Sequence, residues 1–341
     1  MRTEEFDYDL PPELIAQEPL VERDSSRMLV LNRSTKEMEH SVFKNFASYL
    51  YKGDLLVLNN TRVFPARLRG RRKDTGGKVE LLLLRSLEDT LWEVLSSPGK
   101  RTRPGITLTF GEGELEADIL QTTTSGGRIV RFRSAIPFRV LLQKLGEVPL
   151  PPYIKKELEG RERYQTVYSQ AEGSAAAPTA GLHFTPRVFK ELEQKGVDKV
   201  FLTLHIGLGT FRPVRSTFVT DHVMHEEFFE LSAVAAEKIN CTRKKGGRII
   251  AVGTTCCRVL ESQSNEKGWV QEGQGKTALF IYPGYRFKTV DALLTNFHLP
   301  RSSLLMLTCA FAGKDFTLRA YNEALQQRYR FYSFGDCMFI Y

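Results

Sequence analysis

The chain has 341 residues, enough for two domains with separate cores, and its 42% hydrophobic and 26% charged residues exclude a disordered or fibrous protein. A net charge of +8 suits a polyanionic partner without requiring one. No basic n-region with an apolar stretch opens the sequence, and no apolar run approaches a membrane span, so the expectation is a cytoplasmic protein without membrane contact. The five cysteines lack C-x-x-C spacing and read as reduced thiols.

The first clear element is the apolar run 54–58, which reads as a strand buried on both faces. From 66 to about 133 the pattern changes to short strands at 78–84, 91–95, 106–110, 114–120 and 128–132. Gly76-Gly77, Pro98-Gly99, Pro104-Gly105, Gly111-Glu-Gly113 and Gly126-Gly127 punctuate them, as in a small barrel or sandwich. A helical piece at 138–145 and the linker Val148-Pro-Leu-Pro-Pro152 close this block. A helix follows at 185–195, with Thr185 as cap, Pro186 in the first position and Gly196 as stop. Buried strands are expected at 199–206, 248–252 and 278–282, with helices at 232–245 and from about Pro300. The fold class is α/β: a larger mixed α/β domain made from both chain ends, residues 1–65 and 151–341, with an inserted small all-β barrel domain at 66–150. The insertion carries 15 Lys and Arg against 10 Asp and Glu, most of the net positive charge. Arg67, Arg69, Arg71, Arg72 and Lys73 open it. They read equally as protection of an exposed sheet edge or as a phosphate-contacting patch.

Several junctions between strands and helices carry polar residues. Gly207-Leu-Gly209-Thr-Phe-Arg212-Pro follows a buried strand but has Arg212 where a dinucleotide-binding loop needs its third glycine, so it suits some other small ligand. Gly253-Thr254-Thr255-Cys-Cys-Arg258 reads as a strand, a turn and a helix start, capped by Thr254 or Thr255. Its amides and Arg258 suit a carboxylate or phosphate. Asp221-His222-x-x-His225 has the wrong spacing for a zincin pair and no convincing third ligand, so no metal is expected and these histidines read as hydrogen-bonding or proton-transferring groups. The small-residue loop 175–185 carries His183, and Asn296-Phe-His298-Leu-Pro-Arg301 sits at a helix start.

Taken together, the blocks resemble one family. They are Phe6-Asp-Tyr-Asp-Leu-Pro-Pro, Arg23-Asp-x-Ser-Arg-Met-Leu, Gly53-Asp-Leu-Leu-Val-Leu-Asn-Asn-Thr-Arg62, Ala176-Ala-Pro-Thr-Ala-Gly-Leu-His183, Leu204-His-Ile-Gly-Leu-Gly-Thr-Phe-Arg212, Gly246-Gly-Arg-Ile-Ile-Ala-Val-Gly-Thr-Thr255, Phe280-Ile-Tyr-Pro-Gly-Tyr-Arg-Phe287, Leu293-Leu-Thr-Asn-Phe-His-Leu-Pro-Arg-Ser302 and Tyr329-Arg-Phe-Tyr-Ser-Phe-Gly-Asp336. In this order, across nearly the whole chain, they resemble the S-adenosylmethionine:tRNA ribosyltransferase-isomerases of queuosine synthesis. One departure is Cys256-Cys257, where the family is expected to have Ser-Val, which argues against an essential thiol.

The resemblance implies transfer and isomerisation of the ribosyl group of S-adenosylmethionine onto 7-aminomethyl-7-deazaguanine in a tRNA anticodon, yielding epoxyqueuosine-tRNA, adenine and methionine. S-adenosylmethionine would be a co-substrate, with no cofactor and no metal, and the protein a monomer. Such chemistry needs a base for the C5′ proton and a dry pocket. His183, His298 and His225 are the expected proton-transfer groups, drawn from a set that includes His205 and His222. Arg62, Arg212, Arg258 and Arg301 are candidates for the methionine carboxylate or a tRNA phosphate, and Tyr282 and Tyr285 for base stacking. Asn60, Thr179, His205, Gly207, Gly209, Thr254, Thr255 and Asn296 fall within the blocks and are expected at substrate. An RNA methyltransferase using the same donor and a non-catalytic RNA-binding protein are the rival readings.

Overall fold

The computed structural model describes residues 1–124, 126–207 and 213–341. They form two compact units, one of Met1–Arg62 with Pro151–Tyr341, the other of Val63–Leu150. No helix among the described residues is long and apolar enough to cross a membrane.

The first unit is built on a nine-stranded sheet. Its strands lie in the order Gly273–Thr277, Glu227–Leu231, Asp198–Leu204, Leu55–Asn59, Ile249–Val252, Ala292–Asn296, Cys337–Ile340, Arg27–Leu31 and Met38–Val42. The four from Asp198–Leu204 to Ala292–Asn296 are parallel. Side chains alternate to both faces: Leu55, Val57, Ile249 and Ala251 enter one core, while Leu56, Leu58, Ile250 and Val252 enter the other. That double burial is why these strands read as unbroken apolar runs. Helices Ala233–Lys244, Thr254–Ser262, Ser303–Ala312 and Lys314–Gln326 contribute to the first core, and helix Pro186–Gln194 to the second.

This topology decides where a site forms. Parallel strands deliver their carboxyl ends to one edge, so the segments after Leu204, Asn59, Val252 and Asn296 gather there. Cys337–Ile340 runs antiparallel to Ala292–Asn296, and Arg27–Leu31 parallel to Cys337–Ile340, so the segments that lead into those two strands reach the same edge.

One expected strand does not form. At 278–282 the chain leaves the ladder, and the sheet instead ends on the polar strand Gly273–Thr277. Arg258 takes the Leu279 carbonyl at 3.0 Å, and Ile281 is buried without strand pairing, so side-chain burial made this run apolar.

The second unit closes six antiparallel strands into a barrel: Arg67–Arg72, Lys78–Ser86, Leu91–Ser97, Thr107–Phe110, Leu115–Thr122 and Arg128–Ser134. Leu68, Leu81, Leu83, Val94, Phe110 and Val130 fill it, and helix Phe138–Leu145 packs Phe138 on Phe132 with ring centroids 4.4 Å apart. Closure requires Gly70, where any Cβ would fall 2.5 Å from both the Phe110 ring and the Thr109 carbonyl oxygen. Strand Arg67–Arg72 is hydrogen-bonded on both sides, so the edge-protection reading of its basic residues loses its premise.

Candidate active site

At the shared edge of the first unit lies a cavity of about 610 Å³, counting the part open to solvent. Thr179, Thr254, Thr255, Asn296, His298, Tyr153 and Tyr332 line it, and among the described residues none that lines it is Asp, Glu, Lys or Arg.

Each wall follows from local sequence. Helix Thr254–Ser262 starts at the cavity with Gly253 as its N-cap, in a positive-φ conformation (89°) that glycine adopts without strain. The threonines were expected to cap this helix, but no side chain does so, and its first-turn amides keep the partial positive charge of a helix start. The next helix, Ser303–Ala312, differs: Ser302 Oγ accepts from Leu305 N at 3.2 Å.

His298 lies two residues after strand Ala292–Asn296 ends and is held through its backbone and Nε2. Its N–H donates to Tyr321 Oη at 2.9 Å, its carbonyl accepts from Tyr8 Oη, and Nε2 lies 2.8 Å from Thr295 Oγ1. Desolvation pushes the imidazole down to about 3, although part of the ring is exposed at the cavity wall. It is therefore neutral at neutral pH.

His183 lies one residue behind the wall and is 4% exposed. Its Nδ1 is 2.7 Å from Ser26 Oγ, and its Nε2 is 3.3 Å from Asn296 Nδ2. The same Asn296 amide nitrogen donates to the Tyr332 carbonyl at 3.1 Å, which selects the orientation of the amide. An NH₂ facing Nε2 requires Nε2 to be the acceptor, so the His183 proton sits on Nδ1 and is given to Ser26. Burial pushes this imidazole down to about 4. Asn296 Oδ1 is buried and has no partner among the described residues. Tyr332, whose carbonyl anchors this network, adopts φ of 70°, a left-handed conformation that costs a non-glycine residue on the order of 1–3 kcal/mol and clusters at functional sites.

The cavity thus unites Thr179, Thr254, Thr255, Asn296 and His298, with His183 in contact through Asn296. Other expected site residues lie elsewhere. Arg258 is buried in an ion pair with Glu227, whose other oxygen accepts from Gly207 N at 2.9 Å, so Arg258 and Gly207 brace the loop entry. Arg301 pairs with Asp7, and Arg62 with Glu162 and Ser169. Asn60 accepts from Thr203 Oγ1, and His205 packs over Gly173 with Nδ1 2.8 Å from Thr61 Oγ1. Tyr282 packs on Phe280, and the Tyr285 hydroxyl reaches Glu261. His225 is exposed. Gly209 and Arg212 lie outside the described residues. Among the described residues no three His, Cys, Asp or Glu side chains are grouped to hold a metal. Cys256 and Cys257 are fully buried, and burial pushes both thiols far up, away from thiolate chemistry.

Four wall or support residues escaped the sequence reading: Ser26, Tyr153, Thr295 and Tyr332. Three of them stand inside the matching sequence blocks, so position in a block was their signal. Tyr153 had none.

The barrel's basic residues are mostly engaged. Arg67 meets Glu80, Arg69 meets Glu147, Arg72 meets Asp74 and Lys73 meets Glu116, which leaves Arg71 without an ion pair among the described residues.

Comparison with known proteins gives a consistent result. A family model described as "Queuosine biosynthesis protein" matches residues 3–340. Proteins named S-adenosylmethionine:tRNA ribosyltransferase-isomerase match over 340 residues, covering 100% of both chains. They are 57% identical in Thermoanaerobacter sp. (strain X514) and 56% in Caldanaerobacter subterraneus subsp. tengcongensis. The crystal structure of S-adenosylmethionine tRNA ribosyltransferase from Thermotoga maritima is 42% identical, with TM-score 0.57, over 99% of this chain and 100% of that one. With a full-length family match and relatives above half identity, this chain belongs to the queuosine biosynthesis protein family.

Proposed function

We propose that this protein is an S-adenosylmethionine:tRNA ribosyltransferase-isomerase. It moves and isomerises the ribosyl group of S-adenosylmethionine onto 7-aminomethyl-7-deazaguanine in a tRNA anticodon, releasing adenine and methionine. Its full-length relatives carry that name. The observation that carries the reading to particular residues is the cavity, without a charged lining side chain among the described residues, where an uncapped helix start and a neutral histidine face one space.

Three parts of the donor have a matching wall. The methionine carboxylate lies at the first-turn amides of helix Thr254–Ser262, where a helix start favours an anion. The sulfonium lies against Tyr153 and Tyr332, whose ring centroids are 4.8 Å apart; aromatic faces attract such cations without a counter-charge. His298, unprotonated at neutral pH, accepts the C5′ proton that the sulfonium acidifies. His183 holds Asn296 in place, and the unpartnered Asn296 Oδ1 accepts a hydrogen bond from the ligand.

Product analysis tests the function. Incubation with S-adenosylmethionine and tRNA bearing the modified base should release adenine and methionine in equal amounts. S-adenosylhomocysteine instead would make the protein a methyltransferase.

A further inference from the structure

On the far side of His183 the same sheet edge bears a second, smaller crevice, bounded by Arg23, Ser26, Arg163, His183 and the turn 333–335. Two of its walls are arginines, and Arg330 is close enough to weaken protonation of His183. None of the three forms an ion pair among the described residues, and each is fixed by backbone carbonyls. Arg23 donates to Gln165 O at 2.6 Å and Glu162 O at 2.8 Å, Arg163 donates to Leu20 O, and Arg330 donates to Glu18 O. The Arg330 Nη1 is buried with no partner among the described residues. The nearby carboxylates are committed elsewhere: Glu162 to Arg62, Glu18 to Lys156, and Asp336 to Arg27 and two backbone amides.

Three guanidiniums partly removed from water, with Arg163 repelling Arg23, are offset only at a distance, by Glu162 for Arg23 and by Asp336 and Glu18 for Arg330, and an anion in the crevice would stabilise them directly. Carbonyl anchors hold the planar donors in place and leave their remaining N–H groups for an incoming oxygen. The donor's carboxylate already has the helix start in the neighbouring cavity. A phosphodiester, with two charged oxygens for a bidentate fork, is the better match for a cationic crevice beside the wall that holds His183 and Asn296. Resting on the tRNA reading above, we propose that Arg23, Arg163 and Arg330 bind a backbone phosphate of the tRNA at the anticodon strand.

Filter-binding of tRNA at several salt concentrations tests this without turnover. Arg163→Gln should weaken tRNA binding roughly tenfold and lower the slope of log affinity against log salt by about 0.7, the single-strand value for one phosphate. Arg163→Lys should restore the slope while recovering only part of the affinity, because an ammonium lacks the fork. The KM for S-adenosylmethionine should stay unchanged in both. On the wild-type protein, tRNA but not S-adenosylmethionine should shield Arg163 from an arginine-selective dicarbonyl reagent, a readout independent of how the variants fold. An unchanged slope, or absent shielding by tRNA, overturns the proposal. A raised KM for S-adenosylmethionine with tRNA binding intact would give the crevice to the donor carboxylate and overturn it too. If the wild type releases no adenine, the proposed reaction fails while the salt slope still judges the crevice.

Discussion

The barrel and the α/β unit treat charge in opposite ways. On the barrel, cations meet carboxylates at the surface, as in Arg69 with Glu147 and Lys73 with Glu116, both at least partly exposed. In the α/β unit, Arg258 and Glu227 are paired out of water, while Arg23, Arg163 and Arg330 are held by carbonyls and form no ion pair among the described residues. Counting Lys and Arg points to the barrel as the nucleic-acid face. Pairing points to the α/β unit, because a cation already answered by its neighbour has less to offer a phosphate.

The largest effect should come from the cavity. His298→Ala should lower turnover roughly 10²–10⁴-fold, the usual worth of a positioned proton-transfer group, with tRNA affinity unchanged. His225→Ala, at an exposed position, should leave turnover near wild type. Single-turnover rates decide, and a wild-type rate in His298→Ala would remove that histidine from the chemistry. Next in size is the buried pair. Arg258→Met strands the Glu227 carboxylate in the core and should cost about 3–5 kcal/mol, most of it recovered in a double variant with Glu227→Leu. Arg69→Ala on the barrel should cost only about 0–1 kcal/mol, since its partner stays hydrated. Urea unfolding compares them. Equal losses would erase the distinction between the two regions.

Much of this was legible in the sequence, for a physical reason. Strands buried on both faces, such as Leu55–Asn59 and Ile249–Val252, must be apolar throughout, and Gly-punctuated short strands announced the barrel. The mixed α/β fold with an inserted barrel follows from that contrast. Strand Gly273–Thr277 was missed because an edge strand needs no apolar pattern, and 278–282 was misread because burial alone mimics a strand. At the site, Asn296 and His298 stood in one block, but His183 joins them only through a contact across 113 positions. The roles of the arginines were least legible. Nothing local distinguishes Arg258, whose partner is 31 residues away, from Arg163, which has no acidic partner among the described residues.

Acid should separate the regions further. All six histidines lie outside the barrel unit. His183 and His298 fall from the ordinary 6.5 to about 4 and about 3 in the folded protein, so the unfolded chain takes up protons first. Their contribution is therefore full above about pH 6.5 and is lost as the pH drops toward 4 and then 3. For His183 alone the loss is on the order of 3 kcal/mol. Asp291 and Asp336, raised by burial above the ordinary 3.8, act with the opposite sign, since the folded state takes up their protons first as the pH falls toward 3.8. Amide exchange from pH 7.5 to 5 should expose the α/β unit before the barrel, and His183→Asn should delay that loss. Earlier opening of the barrel would contradict the assignment.

The smallest effect should come from the barrel's basic strand. Arg71→Ala, Arg72→Ala and Lys73→Ala together remove three positive charges, yet Arg72 and Lys73 already answer Asp74 and Glu116. Only Arg71 is left to meet a phosphate, so the salt slope of tRNA binding should change by no more than about 0.7, one contact's worth. A change of two or three contacts would mean that tRNA displaces those surface pairs, which their low worth allows. Raw charge would then have located a nucleic-acid face better than pairing did, and the barrel would be a site of tRNA contact in its own right.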